Sequence, residues 1–91
     1  MNRHAVITFM ANVRKANFCD SPAGTLCFLM NQAQDLKLTF FYLDWRRLLT
    51  LIGVSPKDIL MSNTTFIPNS RLPAVEKYRG FIKWLEEEEQ T

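Results

Sequence analysis

The sequence predicts an all-α fold, a compact bundle of about five short helices within a single domain that spans residues 1–91. Apolar residues recur at helical spacing in several segments, and no heptad repeat persists that would indicate a coiled coil. Two serine–proline pairs, at positions 21–22 and 55–56, are typical of helix starts. The 47% hydrophobic share supplies a core, while only three glycines and four prolines leave little room for long loops.

The first helix is predicted near the N-terminus. We expect an amphipathic helix from His4 to about Asn17 rather than a signal peptide, because Asn12 and the basic pair Arg14–Lys15 cut the apolar run short. No apolar run approaches the roughly 20 residues of a membrane span. The residues predicted to be buried are Val6, Phe9, Met10 and Val13.

A second helix and an ambiguous stretch follow. Ser21 is a good N-cap residue, so the second helix should run from Pro22 to about Asp35. Residues 36–43, LKLTFFYL, have the composition of a strand. The only candidate partner strand is residues 63–68, so we expect an extended connection or the start of the next helix instead. The buried stripe of the second helix should be Ala23, Leu26, Leu29, Met30 and Ala33.

The third and fourth helices form a predicted hairpin. Asp44 can cap a helix over residues 45–52, and Gly53 is a typical C-terminal stop. Ser55 is the next N-cap, which predicts a short helix over residues 56–63.

The last helix should begin at about Leu72 or Pro73 and end near Glu88. Its buried stripe should be Val75, Tyr78, Phe81, Ile82 and Leu85. Residues 86–91 form a short acidic tail. Negative charge opposes the dipole at a helix C-terminus, so we expect this end to fray.

The segment FMANVRKANFCDSPAGTLCFLMNQAQD carries a family resemblance. It resembles the opening of the YozE-type, SAM-like small bacterial domains, in which an amphipathic aromatic helix leads through a turn into a second helix. The matching residues are Phe9, Asp20, Pro22, Gly24, Leu26 and Asp35. The resemblance covers roughly the first 35 residues and extends loosely to residues 45–52. It implies a small helical fold of the sterile-alpha-motif kind without catalytic residues.

Composition gives little support to catalysis. His4 is the only histidine, and a cysteine nucleophile would need it as a base beside Cys19. Cys19 and Cys27 are expected to be buried, reduced thiols, which favours a cytoplasmic protein. We find no metal-ligand cluster and no glycine-rich phosphate loop, so no cofactor or metal is expected. The sequence therefore predicts a protein that is not an enzyme.

The leading hypothesis is a protein-binding module, a regulator or inhibitor that occupies a surface on a larger protein or complex. Small size without catalytic chemistry is typical of such proteins from phages or mobile elements. The aromatic segment TFFYLDW is hard to bury completely, so part of it is expected at a partner or homo-oligomer interface. The predicted partner-binding residues are Trp45, Arg46, Arg47, Trp84, Glu86, Glu87, Glu88 and Glu89.

The alternative is a helix-turn-helix-like DNA-binding transcriptional regulator that uses residues 46–63. Residues 1–85 carry eleven basic and five acidic side chains, a net charge of +6 that could approach nucleic acid. Against it, Leu49 is large where helix-turn-helix proteins place a small residue, and Asp58 would repel phosphate. The predicted DNA-binding residues are Arg46, Arg47, Lys57, Asn63 and Arg71.

Overall fold

Five α-helices make up the computed structural model, which describes residues 2–16 and 20–90. They are α1 (Arg3–Arg14), α2 (Pro22–Asp35), α3 (Tyr42–Leu51), α4 (Pro56–Asn63) and α5 (Val75–Glu89). The described residues contain no strand, which confirms the all-α prediction. None of their helices is long and apolar enough to cross a bilayer. The first helix ends at Arg14, earlier than the predicted Asn17, which itself lies outside the described residues.

The start of α2 shows why the predicted bounds of this helix are correct. Its first residue is Pro22, which has no N–H to satisfy. The next backbone N–H, of Ala23, donates to the Ser62 hydroxyl on α4 at 2.8 Å. The N–H of Gly24 donates to the Ser21 hydroxyl at 3.0 Å. The first backbone N–H groups of α2, which have no partner within the helix, are therefore hydrogen-bonded, one of them to another helix.

Residues 38–41 have no regular secondary structure, and residues 42 and 43 already belong to α3. The ambiguous stretch is therefore a connection followed by the start of the next helix, and not a strand. The predicted N-cap is wrong. The cap is Phe41, and Asp44 lies at the third helical position, where its carboxylate accepts a hydrogen bond from the Phe41 N–H at 3.1 Å. Asp44 thus satisfies the backbone from inside the helix, which moves the helix start back to Tyr42.

Both ends of α5 differ from the prediction. Residues 72–74 form turns, and the helix begins at Val75, after the Ala74 N–H donates to the Asn31 side chain on α2 at 3.2 Å. At the other end the helix continues to Glu89. Residues 86–89 are therefore its last turn rather than a frayed tail. The Arg46–Glu89 ion pair, at 3.1 Å, offsets part of the negative charge there.

The core is shared by all five helices. Its largest fully buried side chains are Trp45, Tyr78, Phe9, Phe81, Leu26, Leu29, Met30, Leu49, Ile59 and Leu85. The short helix α4 packs mainly against α2 and α5. It contributes one buried residue, Ile59, and its other side is exposed.

Candidate functional site

Aromatic side chains attach α3 to the rest of the bundle. Trp45 meets Phe9 of α1 edge to face, with ring centroids 5.9 Å apart, and meets Phe40 at 5.3 Å. Tyr42 packs against Phe81 of α5 with a centroid distance of 5.6 Å. These large rings hold the backbone of α3 away from its neighbours, and they fix which side of the helix faces the core.

The opposite side of α3 forms the candidate site. We call it the α3 outer face, and its residues are Leu43, Arg46, Arg47, Thr50 and Leu51. They recur at helical spacing and line a shallow, open depression of about 330 Å³. Leu43 is 45% exposed and Leu51 is 77% exposed, and Phe41, just before the helix, is 81% exposed. Leu43 and Leu51 are thus large apolar side chains exposed to solvent on one face of α3.

The two arginines of this face differ in their charge environment. Arg46 donates to the Glu89 carboxylate, so its charge is offset within the chain. Arg47 is exposed and has no ion-pair partner in the described part of the chain. The face therefore combines exposed leucines with one uncompensated positive charge.

The predicted partner-binding residues are only partly brought together. Trp45 is 1% exposed, so its assignment to a partner surface is wrong: the indole lies on the buried side of α3. Trp84 is half-buried against Tyr42 and Phe81, with centroids 5.7 and 5.6 Å away. It borders α3 at the α3–α5 contact. The remaining acidic residues, Glu86, Glu87 and Glu88, are exposed on the last turn of α5.

The predicted DNA-binding residues are spread over three elements. Lys57 is exposed on α4, next to Asp58, whose backbone N–H donates to the Ser55 hydroxyl. Asn63 accepts a hydrogen bond from the buried Tyr78 hydroxyl at 2.6 Å. Arg71 lies, exposed, on the segment between α4 and α5. The exposed side of α4 therefore offers one cation, Lys57, and one anion, Asp58. The side-chain amide of Asn63 is already bonded to Tyr78 inside the protein.

The turn between α3 and α4 has the geometry of a capped helix end. Gly53 has φ +86°, a backbone conformation that L side chains rarely adopt. Its N–H donates to the Thr50 carbonyl, and the Val54 N–H donates to the Leu49 carbonyl at 2.8 Å. These two bonds form a Schellman motif, which accounts for the glycine at this position.

No catalytic or metal arrangement stands out among the described residues. Burial raises the pKa of the Cys27 thiol above its ordinary value, which disfavours the thiolate that a nucleophile needs. His4 is exposed near the N-terminus, and the proposed His4–Cys19 pair involves a residue outside the described part of the chain. Residues 2–16 and 20–90 contain no group of three or more side chains able to hold a metal ion.

Sequence reasoning missed the leucines of the α3 outer face. The signal was present: Trp45, Leu49 and Ile52 recur at core spacing, and that stripe leaves Leu43 and Leu51 on the other side of the helix. A helix predicted to begin at residue 45, three residues too late, excluded Leu43 from the pattern.

Comparisons with known proteins identify no relative. No protein-family model matches the chain, and no curated protein or solved structure matches it either. The resemblance of residues 9–35 to the YozE-type domains therefore stays a prediction.

Proposed function

We propose that this chain is a small, non-enzymatic protein-binding module that presents the α3 outer face to a larger protein. One observation carries the proposal: Leu43 and Leu51, 45% and 77% exposed, share a helix face with the unpaired Arg47. Exposed leucines lose their unfavourable contact with water when a partner covers them. Arginine is among the residues enriched in protein interfaces.

The chemistry of the face also describes the partner. An apolar groove would receive Leu43 and Leu51, in the manner of an amphipathic helix laid into a groove. An acidic side chain at the groove rim would pair with Arg47. The partner surface is therefore apolar at its centre and acidic at its edge. Occupying such a surface is how a small regulator or inhibitor without catalytic residues can act.

A protein partner is better supported than DNA. A DNA reader places several cations toward phosphate and donor or acceptor side chains toward base edges. Here Arg46 is paired with Glu89, and Asn63 is engaged by Tyr78. The free charge that remains on α4, Lys57, lies next to Asp58. A cytoplasmic location is part of the proposal, since Cys27 is a free, buried thiol.

The test is affinity capture from lysate of the source cell with matched variants of the tagged chain. Leu51→Asp and Arg47→Glu change the α3 outer face. Met61→Asp is the control, because Met61 is 74% exposed, almost as much as Leu51, but lies on α4. Each capture is performed with and without nuclease, and bound proteins are quantified by mass spectrometry.

We expect wild type and Met61→Asp to capture the same protein in equal amounts, with or without nuclease. Both α3 variants should capture at least tenfold less of it. Two results would contradict it. One is a captured protein that the α3 variants retain as well as the wild type does. The other is recovery of DNA that Lys57→Glu abolishes and that falls steeply as salt rises, which would favour the DNA-binding alternative.

A further inference from the structure

Three exposed features of the chain do not stabilise its own helices. The first is Phe41, the N-cap of α3, which is 81% exposed and makes no side-chain hydrogen bond to the helix end. Serine, threonine, asparagine and aspartate are the residues that stabilise an N-cap. Folding therefore does not explain a large apolar ring in water at this position.

The second feature is the basic outer side of α1. Its exposed residues are Arg3, His4, Ile7, Ala11, Arg14 and Lys15. Residues 2–16 include no acidic residue, and the two arginines and the lysine have no ion-pair partner in the described part of the chain. Arg3 is the first residue of the helix, where the helix dipole disfavours a positive charge. The positive charge of α1 is therefore not offset within the chain.

The third feature is the acidic last turn of α5, residues 86–89. It contains no basic residue, although the dipole disfavours negative charge at this end of a helix. Glu89 pairs with Arg46 at 3.1 Å, which places the turn against α3. Glu86 and Glu87 are exposed and have no ion-pair partner among the described residues. The chain thus presents one surface with excess positive charge and another with excess negative charge.

The contacts on either side of Phe41 place it between α1 and α5. The preceding residue, Phe40, packs against Phe9 of α1 with ring centroids 5.3 Å apart. The following residue, Tyr42, packs against Trp84 of α5, just before the acidic turn, with centroids 5.7 Å apart. The exposed ring of Phe41 therefore has the basic helix on one side and the acidic turn on the other.

The arginines of α1 lie on the edge of that helix that borders α3. Met10 of α1 and Asp44 of α3 line a shared depression, and Asp44 accepts the Phe41 N–H at 3.1 Å. Arg3 is seven residues before Met10, and Arg14 is four residues after it, so all three share one edge of the helix. Both arginines are therefore on the side of α1 nearest to Phe41.

We propose that these three features form an interface between two copies of this chain, related by a two-fold axis near Phe41. In such an isologous contact, the basic edge of α1 in each copy faces the acidic turn of α5 in the other. The two Phe41 rings meet at the centre, which gives the apolar centre and polar rim that are usual in protein interfaces. A nucleic acid would match α1 alone and would be repelled by residues 86–89, whereas a second copy complements both charges.

The test is sedimentation equilibrium of the full chain, purified free of nucleic acid, over a range of concentrations. We expect the average mass to rise with concentration from 10.6 kDa toward twice that value. Raising the salt concentration from about 0.1 M to about 1 M shortens the Debye length from about 10 Å to about 3 Å. The same change should weaken the dimer several-fold, because charges form its rim.

Charge reversal tests the pairing directly. Arg3→Glu with Arg14→Glu, and Glu86→Lys with Glu87→Lys, should each weaken the dimer at least tenfold, because like charges then face each other. All four changes together restore opposite charges and should restore the dimer. The two lysines suit the dipole at the end of α5, so loss of the dimer in that variant is not loss of folding.

The matched control is Lys57→Glu with Arg71→Glu. It changes the net charge as much as the α1 pair does, at exposed positions outside this surface, and should leave the dimer unchanged. Leu51→Asp should also leave it unchanged, since Leu51 is at the opposite end of α3. Failure of this inference is therefore distinguishable from failure of the proposed protein-binding function.

Phe41→Ser separates association from folding. Serine is a good N-cap residue, so the monomeric variant should resist urea at least as well as the wild type does. Its dimer should nevertheless be at least tenfold weaker, because the apolar centre of the interface is lost.

Three results would overturn the inference: a mass of 10.6 kDa at every concentration, a four-residue variant that associates no better than either pair, or an unchanged dimer in Phe41→Ser. A monomeric chain that retains nucleic acid, and loses it on Arg3→Glu with Arg14→Glu, would overturn it in favour of a nucleic-acid partner for α1.

Discussion

The helices α3 and α4 are joined by one tight turn at Gly53, yet they differ in how their side chains contact the rest of the bundle. α4 lies against α2 and α5, and its polar residues form internal hydrogen bonds: Ser62 with Ala23, and Asn63 with Tyr78. α3 is held at a distance by aromatic rings. It keeps two leucines and an arginine in water and leaves one buried donor unpaired.

The comparison separates structural from functional polar groups. In a helix-turn-helix DNA-binding protein, the second helix is exposed and contacts the bases in the major groove. Here both helices have a buried and an exposed side: Trp45 and Leu49 of α3 and Ile59 of α4 lie in the core. Groups that already have partners inside the protein stabilise the fold. An exposed charge without an ion-pair partner among the described residues, such as Arg47, is where a binding partner gains a contact.

The largest expected contrast is in core packing. Ile59 on α4 is 1% exposed and Leu51 on α3 is 77% exposed. Ile59→Ala should lower the free energy of unfolding by about 2–5 kcal/mol, because it leaves a cavity among three helices. Leu51→Ala should change it by less than about 0.5 kcal/mol. Urea denaturation followed by circular dichroism measures both, and equal losses would show that Leu51 is buried like Ile59 and would remove it from the exposed α3 outer face.

The burial of Tyr78 should be visible in the pH dependence of stability. Burial, and then the charge of Cys27, raise the pKa of Tyr78 to about 12 from its ordinary value of 10.0. Unfolded chains therefore lose this proton first as the pH rises. The stabilisation is complete below pH 10 and is lost as the pH rises toward about 12, by up to about 2–3 kcal/mol.

The control for this prediction is Tyr78→Phe, which should be less stable at neutral pH and should flatten the decline between pH 10 and 12. Burial also raises the pKa of Cys27, so the comparison is repeated in Cys27→Ala to remove its contribution. A decline of the same steepness in Tyr78→Phe would mean that other groups cause it.

The α3–α5 contact should show coupling between Gly80 and Tyr42. A Cβ at position 80 would overlap the Tyr42 hydroxyl oxygen. Gly80→Ala should therefore cost about 1 kcal/mol despite the better helix propensity of alanine. In a Tyr42→Phe background, where the hydroxyl is absent, the same change should stabilise by up to about 1 kcal/mol. A double-mutant cycle in urea that gives additive effects would contradict this geometry.

The smallest expected change in stability comes from the C-terminal ends of α2 and α3. Both have Schellman hydrogen bonds, but α3 uses Gly53 at φ +86°, whereas α2 uses Lys37 at φ 57°. Lys37→Gly should stabilise by about 0.5–1 kcal/mol, because glycine adopts this conformation without steric cost. Gly53→Ala is the matched control and should destabilise by a similar amount or more. Thermal unfolding of the two variants should show shifts of opposite sign.

How much of the fold the sequence predicts depends on where each helix obtains its caps. α2 and α4 begin where expected, because Ser21 and Ser55 cap them with local hydrogen bonds. α5 begins late, because the N–H that precedes it bonds to Asn31, 43 positions earlier in the chain. Local patterns contain no information about such long-range partners.

The candidate sites are less predictable than the helices. Arg46 and Arg47 were both expected on a binding face. Only the structure shows that Arg46 forms an ion pair with Glu89, while Arg47 has no ion-pair partner among the described residues. Trp45 was expected to be exposed, although its spacing from Leu49 indicates the core side of α3.

Site-specific photo-cross-linking in the source cell tests whether the α3 outer face contacts a protein partner. A benzophenone side chain is placed at position 50, in the α3 outer face, and, in a second version of the chain, at position 61 on α4. We expect a discrete, nuclease-resistant protein adduct from position 50 and none from position 61. Nucleic-acid adducts from position 61, or the same protein adducts from both positions, would contradict the assignment of binding to α3.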